Sequence, residues 1–501
     1  MKKKNVLLLF FVLIQLNFLF AQETFSKRMD LGFPAVVFTS IETNDSCYYV
    51  TGIMADSIFP YRTGILFSKF NMEGDLIFAK TLVDSVKTYE SWENTLTPLE
   101  DGNFFLSGFS SYERGLLMKF TPQGDTLFVK KYKSPYFQEN PWFVTSDLVL
   151  LPDGGMALFS IVDQANFDND MLLIRTDSLG NLLWEKVYGG NTDEAAQSII
   201  STEDGGFILG AGAQGGGYLI KTDSLGEIEW EYSIPSSESI NPFFDLHQLG
   251  DGSLIVASAY WTEVSQGLSL PNNILLRINL DQEILWSTTF KDTFPNINNR
   301  INKVLPLPDN EHFLAVAGGV AYKSESWQNV GKLIKASYEG DSIWTRYYHH
   351  VENQSAQNLL YDLEATPDGG FIMCGQAKDT QINPTEPNQQ GWLLKVDEHG
   401  CLVPGCQLLS SVDEVGTSVP FQLKLYPNPA TEYLNIYFHH ASMKGEAHFS
   451  LRDAGGKVVK EFKSNLSDVT HVWAVDDLVA GVYWLTCRVG DEVFTEEVVV
   501  G

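Results

Sequence analysis

The sequence Pro152-Asp153-Gly154-Gly155-Met156 recurs almost unchanged as Glu203-Asp204-Gly205-Gly206-Phe207 and as Pro367-Asp368-Gly369-Gly370-Phe371. Each copy places Asp and Gly directly before an apolar run, which is typical of a tight turn followed by a β-strand. Weaker copies occur at Asp45, Asp101, Asp251 and Asp309, and successive copies lie 56, 52, 51, 47, 58 and 59 residues apart. A period of about 50 residues indicates an internal structural repeat.

A second phrase alternates with the first: an aliphatic pair, Lys or Arg, an Asp-x-x-Gly turn, and an aromatic residue four positions after the Gly. Its best copies run from Ile174 to Trp184 and from Ile220 to Trp230, and Gln282 replaces the Gly in one copy. The basic residue recurs as Lys69, Lys119, Arg175, Lys221, Arg277, Lys335 and Lys395. The aromatic residue recurs as Phe78, Phe128, Trp286 and Trp344. Each unit therefore contains four short strands.

The predicted fold class is all-β, because four antiparallel strands in every 40 to 50 residues or so are typical of a β-propeller blade. A solenoid is the alternative, but solenoids normally use shorter or helical repeats. The seventh unit lacks its fourth strand after Gly400, and the segment Glu23 to Met29 resembles that strand. We expect a seven-bladed β-propeller of four-stranded blades over residues 22–400, closed by the N-terminal strand, which hides the sheet edges.

Charge and the N-terminal segment restrict where the protein acts. The chain has 63 acidic and 34 basic residues and a net charge of -29, which disfavours nucleic acid as a partner. Lys2 to Lys4 precede an apolar stretch that ends at Phe20, and Ala21 offers a small residue for cleavage. This pattern predicts a secretory signal peptide over residues 1–21 and export from the cytoplasm. A membrane anchor is the alternative, but the stretch is shorter than the roughly 20 residues that span a bilayer. No transmembrane segment is expected in the mature chain.

Export makes disulfide bonds possible for the five cysteines. Cys401 and Cys406 flank Leu-Val-Pro-Gly, a turn-forming sequence, and are the candidate disulfide pair. Cys47, Cys374 and Cys487 fall in strand-like runs, where a Cys usually packs as a small hydrophobic residue. The spacing of four zinc ligands is absent from the sequence.

The loops of the predicted blades differ between the two ends. The Asp-Gly turns at one end are short, whereas the connections at the other end vary in length, as at Lys133 to Phe143, Ala259 to Asn273 and Gly319 to Gly331. Variable loops on a rigid scaffold are where recognition usually resides. The aromatic residues of these loops are Tyr136, Phe137, Trp142, Tyr260, Trp261 and Trp327. Tyr136, Trp142 and Trp261 are the candidate ligand-binding residues, and a cover over the blade cores is the alternative role.

Motifs of catalysis and of cofactor binding are not supported. Gly210-Ala-Gly212-Ala-Gln-Gly215 matches a dinucleotide fingerprint but leads into another strand rather than a helix. Asn166, Asp168 and Asp170 alternate as calcium ligands do, but Met171 replaces the usual Gly, so an ordinary acidic turn is the favoured interpretation. The repeated Lys and Arg residues are expected to pair weakly with turn aspartates. We therefore expect no catalytic residue, no metal site and no cofactor.

The last 79 residues (423–501) begin a different module. Its motifs are Tyr426-Pro427-Asn428-Pro429-Ala, a turn with Asp453, Gly456 and Lys457, and a strand with Gly481 and Tyr483. These motifs resemble the type A C-terminal sorting domain of the type IX secretion system in Bacteroidetes, although Glu496 and Glu497 stand in the last strand where the family commonly carries a basic residue. We expect a small immunoglobulin-like β-sandwich joined by a linker at 401–422. A plain adhesion module of that fold is the alternative.

The resemblance implies passage through the periplasm and recognition of the tail by the type IX machinery. The protein would then be secreted or held on the outer-membrane surface, and the repeats also resemble uncharacterised Asp-Gly-Gly propellers found on such tails. The favoured function is non-enzymatic binding of a glycan, peptide or protein as an extracellular ligand. The alternative is a propeller enzyme, such as a glycan lyase or hydrolase or a quinoprotein-like oxidoreductase. The sequence leaves open tail cleavage, glycosylation and oligomeric state.

Overall fold

The structure is a computed structural model. It describes residues 22–500 except 45, 57–61, 84–87, 111–113, 134–142, 164–168, 191–192, 214–215, 235–239, 266–267, 291–298, 324–325, 352–355, 380–388, 404–405, 407–420, 427–429, 431–432, 441–445, 454–455, 466–468 and 490–491. The chain divides into two compact units between Leu409 and Ser410. The predicted signal peptide lies outside the described residues. Within the described part, no helix is long and apolar enough to span a membrane.

The first unit is built of four-stranded antiparallel groups, as the repeat predicted. Four of these groups are separate sheets. They are β6 (Tyr89–Pro98), β7 (Phe104–Ser110), β8 (Arg114–Phe120) and β9 (Thr126–Lys131); β10 (Phe143–Leu150), β11 (Met156–Asp163), β12 (Asn169–Thr176) and β13 (Leu182–Tyr188); β14 (Glu194–Ser201), β15 (Phe207–Ala213), β16 (Gly216–Thr222) and β17 (Ile228–Ser233); and β18 (Ile240–Gln248), β19 (Leu254–Ser265), β20 (Leu268–Ile278) and β21 (Ile284–Phe290).

Three further groups are joined by two single parallel bridges, Asn329 to Gln357 and Ala35 to Gln389. Their strands are β22 (Ile301–Pro306), β23 (His312–Lys323), β24 (Ser326–Ser337) and β25 (Ser342–Tyr348); β26 (Gln357–Ala365), β27 (Phe371–Lys378) and β28 (Gln389–Val396); and β2 (Ala35–Thr43), β3 (Cys47–Ala55), β4 (Thr63–Asn71) and β5 (Leu76–Leu82). Because a single bridge is a weak link between sheets, we treat these groups as three units of the repeat.

The N-terminal strand β1 (Phe25–Met29) is the fourth strand of the group that contains β26 to β28. It runs antiparallel to β28, with Phe25 opposite Lys395 and Met29 opposite Gly391. The Nε1–H of Trp392 donates to Ser26 Oγ at 2.9 Å. The missing fourth strand after Lys395 predicted this pairing.

Apolar side chains fill the spaces between consecutive groups. One cluster joins Phe159 and Leu173 to Phe207 and Leu209 of the following group, and all four are buried. Equivalent clusters lie between other neighbouring groups. Burial of one such side chain contributes about 1.5 to 3 kcal/mol, so packing against its neighbours stabilises each group.

Cys401 and Cys406, the candidate pair, form a disulfide bond, with Cα atoms 5.5 Å apart. The thiols of Cys47, Cys374 and Cys487 are free and buried. The disulfide closes the turn that follows Gly400, where the repeat ends.

The second unit contains two sheets that share one apolar core. The first sheet has the order β29 (Phe421–Tyr426), β30 (Tyr433–His440) and β33 (Val469–Ala474). The second has the order β32 (Val458–Asn465), β31 (Glu446–Arg452), β34 (Gly481–Val489) and β35 (Glu492–Val500). Leu434 and Trp473 of the first sheet pack in the same cluster as Phe449 and Leu485 of the second.

Candidate functional site

The turn aspartates of the repeat pair with the repeated basic residues. Five of the seven basic residues form such an ion pair within the described residues. The pairs are Lys119–Asp101, Arg175–Asp153, Lys221–Asp204, Arg277–Asp251 and Lys395–Asp368. The sequence predicted these ion pairs, but it did not predict that the basic side chains would be buried. The side chain of Lys395, for example, is only 1% exposed. The stems of these basic residues are held within the blades, so the pairs are more than loose surface contacts.

Each Asp-x-x-Gly turn packs beneath the aromatic residue of the preceding group. Gly180 has φ 72°, and a Cβ atom on it would lie 3.0 Å from the ring of Phe128. Gly400 meets Trp344 in the same way. At these two positions glycine is favoured both by the backbone conformation and by the close approach of the ring, whereas Gln282, with φ 67°, takes the corresponding place in one other turn. These contacts assign the repeated aromatic residues to packing between groups.

At the opposite end of the groups, two expected loops are strands. The region from Ala259 to Asn273 forms the ends of β19 and β20, which pair out to Ser265 and Leu268. The region from Gly319 to Gly331 forms the ends of β23 and β24. The prediction of loops there was wrong, because long antiparallel hairpins satisfy their own backbone hydrogen bonds and need no turn before the tip.

The predicted ligand-binding residues are only partly placed by the structure. Trp261 lies in β19 opposite Pro271, and 38% of its surface is exposed. Its neighbour Tyr260 packs against an apolar cluster. Tyr136 and Trp142 lie outside the described residues, as does Phe137. The structure therefore does not test whether the three candidates form one surface.

Seven polar residues, which we call the hub residues, lie at the β-bulge in the first strand of each group. The hub residue directly follows the bulge in β2, β10, β14, β18, β22 and β26, and it lies inside the wider bulge of β6. The hub residues are Ser40, Thr95, Asp147, Ser198, Asp245, Lys303 and Asp362. Bulges redirect side chains and are common beside functional sites.

Three hub aspartates link the first strand of their own group to the first strand of the following group. Asp147 Oδ2 accepts the backbone N–H of Ile199 at 2.9 Å. Asp245 Oδ2 accepts that of Val304 at 2.6 Å. Asp362 Oδ2 accepts that of Ile41 at 2.8 Å. In each case Oδ1 accepts the N–H of the following residue in its own strand. A buried N–H without an acceptor costs about 1 to 3 kcal/mol, so these carboxyl groups stabilise the contacts between groups.

The hub carboxyl groups lie in an environment that disfavours their charge. Burial, with the neighbouring charge of Asp245 adding to it, raises the pKa of Asp147 to about 7. Burial likewise raises the pKa of Asp245 to about 6. It also raises to about 7 the pKa of Glu364, which lies two residues after the hub residue Asp362. Burial alone would lower the pKa of Lys303, but the surrounding carboxylates, chiefly that of Asp362, outweigh this effect and raise it. Lys303 is thus a permanent cation among several acids.

Four of the hub residues, Asp147, Ser198, Asp245 and Lys303, line a cavity of about 260 Å³, the central cavity. Its wall is distorted in β6, where the bulge between Ser91 and Leu96 is wider than in other groups. This wide bulge brings Trp92, Glu93 and Asn94 to the cavity. Asn94 has φ 57°, a strained conformation for a residue other than glycine. Both carboxylate oxygens of Glu93 accept from Arg300 Nη2, at 2.7 and 2.8 Å.

The structure does not test the calcium alternative, because two of its three candidate ligands lie outside the described residues. No group of three His, Cys, Asp or Glu side chains within them could hold a metal ion. Asp170 is buried in β12. Asn166 and Asp168 lie outside the described residues.

The hub was missed by the sequence analysis, although the sequence carries a signal for it. Asp147 precedes the turn residue Asp153 by six residues, and Asp245 and Asp362 precede Asp251 and Asp368 by the same interval. The other groups also carry a polar residue at this position of the first strand, five or six residues before the turn residue. Reading the repeat for polar positions as well as for turns would have found it.

The motif residues of the second unit shape two turns. The Asp453 carboxylate accepts the backbone N–H of Lys457 at 3.0 Å, and Gly456 has φ 80°. Tyr483 Oη donates to the Val479 carbonyl at 2.7 Å, two residues before Gly481. Tyr426 is the last residue of β29. Pro427, Asn428 and Pro429 lie outside the described residues.

Comparison with known proteins confirms the resemblance of the tail. Residues 424–501 match the family of the secretion system C-terminal sorting domain. No curated protein matches the chain.

Solved structures with a similar fold include Raptor from Chaetomium thermophilum, a protein of unknown function from Dyadobacter fermentans, and the endosialidase of phage phi92. Raptor is 10% identical, with a TM-score of 0.45 over 74% of this chain, which spans only 30% of the Raptor chain. The Dyadobacter protein is 10% identical, with a TM-score of 0.42 over 64% of this chain and 96% of its own. The endosialidase is 9% identical, with a TM-score of 0.40 over 90% of this chain and 75% of its own.

Proposed function

We propose that this chain, a cargo of the type IX secretion system by its sorting domain, carries a seven-bladed β-propeller that binds an extracellular ligand without transforming it. The sorting domain implies export to the cell surface or the exterior. We propose that the signal peptide, residues 1–21, directs the chain to the periplasm and that the linker, 401–422, separates the propeller from the tail. The ligand is a glycan, a peptide or a protein.

The seven-bladed assignment is supported by the pairing of β1. The seventh group has only three strands between Gln357 and Val396, and β1 supplies the fourth from the other end of the first unit. The carboxylate of Asp362 then accepts the N–H of Ile41, so the last group contacts the first at the hub as well. These two contacts fit a closed ring of seven groups.

The observation that carries the binding proposal is the difference between the two ends of the groups. The turns with Asp and Gly are short, and the same hydrogen bond recurs in them. The carboxylates of Asp153 and Asp204 each accept the backbone N–H of the glycine two residues later. The hairpins β19–β20 and β23–β24 are longer and extend beyond the repeat, and Trp261 is exposed on the first of them. Exposed tryptophans on a rigid hairpin are suitable anchors for a ligand. Tyr136 and Trp142 belong to the same proposed surface.

The experiment is a binding screen of the mature chain against glycan and peptide arrays, followed by substitution of Trp261. Trp261→Ala should weaken binding of an identified ligand at least tenfold and leave the melting temperature unchanged. The matched control is Trp484→Ala in the tail, since Trp484 is also 38% exposed and should not affect binding. Turnover of the ligand, or loss of binding only on substitution of Asp177 or Asp223 at the short-turn end, would contradict the proposal.

The role of the tail has a separate test. A chain that ends after Gln407 should fold and accumulate in the periplasm, because the sorting domain is absent. Its appearance at the cell surface or in the medium would contradict the assignment of the tail as the secretion signal.

A further inference from the structure

The central cavity has features that packing of the repeat does not require. The wide bulge in β6 breaks the symmetry of the groups and places Trp92 and Asn94 in the cavity wall. Asn94 keeps a strained backbone conformation there. Strain of this kind persists where the surrounding structure imposes it, and it is frequent at binding sites. Trp261 itself is not among the residues that line the cavity, although β18, which contributes Asp245 to the lining, pairs with the strand that carries Trp261.

The acids around the cavity outnumber the cations. Glu42, Asp147 and Asp245 line it, and the charges of Asp362 and Glu364 act on Lys303 from beside it. Glu93 and Arg300 also line the cavity, but they neutralise each other in a two-oxygen contact. One lysine therefore balances five carboxyl groups. Burial and the charges of Glu364 and Asp362 hold the pKa of Glu42 well above its usual range, and a second cation would relieve this repulsion.

Two buried polar atoms in the wall add an independent signal. Ser146 is 3% exposed and Asn302 is 6% exposed, and both line the cavity. Ser146 Oγ and Asn302 Oδ1 have no hydrogen-bond partner among the described residues. Buried polar atoms are nearly always hydrogen-bonded in native proteins. Both oxygens accept hydrogen bonds, so they fit a ligand that donates N–H groups.

We propose that the central cavity binds a small organic cation with a primary ammonium group, at a site separate from the proposed hairpin surface. The carboxylates and the two free acceptors receive the ammonium group. The half-buried Trp92 offers an aromatic face, on which a cation is attracted by the ring quadrupole. The volume of about 260 Å³ limits the ligand to a few heavy atoms, fewer than in drug-sized ligands, whose pockets measure about 300 to 1,000 Å³.

Two other occupants fit the cavity less well. A bare divalent metal ion needs several ligating side chains together, and no such group of three exists within the described residues. An anion would meet the excess of carboxyl groups, and Arg300 and Lys303 are already engaged by acids. Charge complementarity therefore favours an organic cation.

The test is calorimetric titration of the mature chain with 1,4-diaminobutane, and with 1,4-butanediol as the uncharged molecule of the same length. We expect saturable one-to-one binding of the diamine and no binding of the diol. Glu42→Gln should weaken diamine binding at least tenfold. Trp92→Leu should weaken it about three- to tenfold, as expected for loss of a desolvated cation–π contact, and it serves as the second variant if Glu42→Gln fails to fold.

A charge-matched control distinguishes a site from general attraction to an acidic protein. Asp177→Asn removes one negative charge from an exposed turn and should leave diamine binding unchanged. Equal effects of Asp177→Asn and Glu42→Gln would overturn the proposal, as would equal binding of diol and diamine or absence of saturable diamine binding. Trp261→Ala should also leave diamine binding unchanged, so failure of this proposal is separable from failure of the hairpin surface.

Discussion

Asp147 and Asp153 lie six residues apart in one strand and its turn, yet their carboxyl groups respond to their surroundings in opposite ways. The backbone N–H of Gly155, with Arg175 adding to it, lowers the pKa of Asp153, which is 60% exposed. Burial raises the pKa of Asp147 to about 7. The same contrast separates Asp245 from Asp251, and Asp362 from Asp368.

The contrast shows that position in the blade, and not residue type, decides what an aspartate contributes. At the turn, water and a basic partner stabilise the charge, so the carboxylate is an ordinary turn residue. At the hub, neighbouring acids and burial oppose the charge, but the carboxyl oxygens hold backbone N–H groups of two strands. The turns therefore shape each group, while the hub residues connect the groups to one another.

The largest expected difference is between Asp362→Ala and Asp153→Ala. Asp362→Ala leaves the N–H groups of Ile41 and Leu363 without acceptors, and we expect a loss of about 3 to 5 kcal/mol in the free energy of unfolding. Asp153→Ala removes an exposed ion pair and a turn hydrogen bond, and should cost about 1 kcal/mol. Urea denaturation of the two variants measures both losses. Equal losses would show that the hub carboxylates do not join the groups.

A second comparison sets the most buried basic residue against a more exposed one. The side chain of Lys395 is 1% exposed and that of Lys119 is 18% exposed, and each pairs with a turn aspartate. Lys395→Met should cost about 2 kcal/mol, because Asp368 is then left partly buried without its cation. Lys119→Met should cost about 0.5 kcal/mol. Urea denaturation again measures both changes in the free energy of unfolding. A larger loss for Lys119→Met than for Lys395→Met would contradict this expectation.

The pH dependence of stability should carry the signature of the hub. A carboxyl group with a raised pKa binds its proton more tightly in the folded chain, so stability falls as pH rises from about 4 through its folded pKa. The values of about 7 for Asp147, 6 for Asp245 and 7 for Glu364 place this fall between about pH 4 and pH 7. Since each tenfold difference in proton affinity corresponds to about 1.4 kcal/mol, we expect the free energy of unfolding to drop by at least about 4 kcal/mol across that range.

The turn aspartates predict the opposite slope at lower pH. Hydrogen bonds from Thr202 and Lys221 lower the pKa of Asp204 to about 2, so its contribution is present above about pH 4 and is lost as the pH falls toward 2. The melting temperature of the mature chain should therefore peak between these two regions. Asp147→Asn should flatten only the fall above the peak, and a wild-type curve that rises steadily from pH 4 to pH 7 would argue against raised hub pKa values.

The features that were predicted correctly from the sequence depend on residues close together in the chain. The turns at Asp153 and Asp204 have a fixed chemistry that survives in any context, and the missing strand after Gly400 follows from counting. Cys401 and Cys406 lie close because their separation is short. The tail was recognised because its motif residues, such as Asp453 and Gly456, are turn residues at fixed spacing.

The rest depends on contacts that only the assembled groups create. Asp147 and Asp245 are 98 residues apart in sequence, and their mutual influence arises because the first strands of the groups meet. The width of the bulge at Trp92 to Asn94 is set by pairing with β7, which periodicity does not report. The hairpin at Trp261 was expected to be a loop because its polar content hides the alternation of a strand.

The most direct test of the account is a titration of Asp147 and Asp153 in the same folded molecule. Carboxyl carbons of 13C-labelled aspartate, assigned with the variants Asp147→Asn and Asp153→Asn, report each midpoint by NMR. The account predicts a midpoint of about 7 for Asp147 and one below the ordinary value of 3.8 for Asp153. Two midpoints near 3.8 would contradict it, because the hub carboxyl group would then be as well solvated as the turn carboxylate.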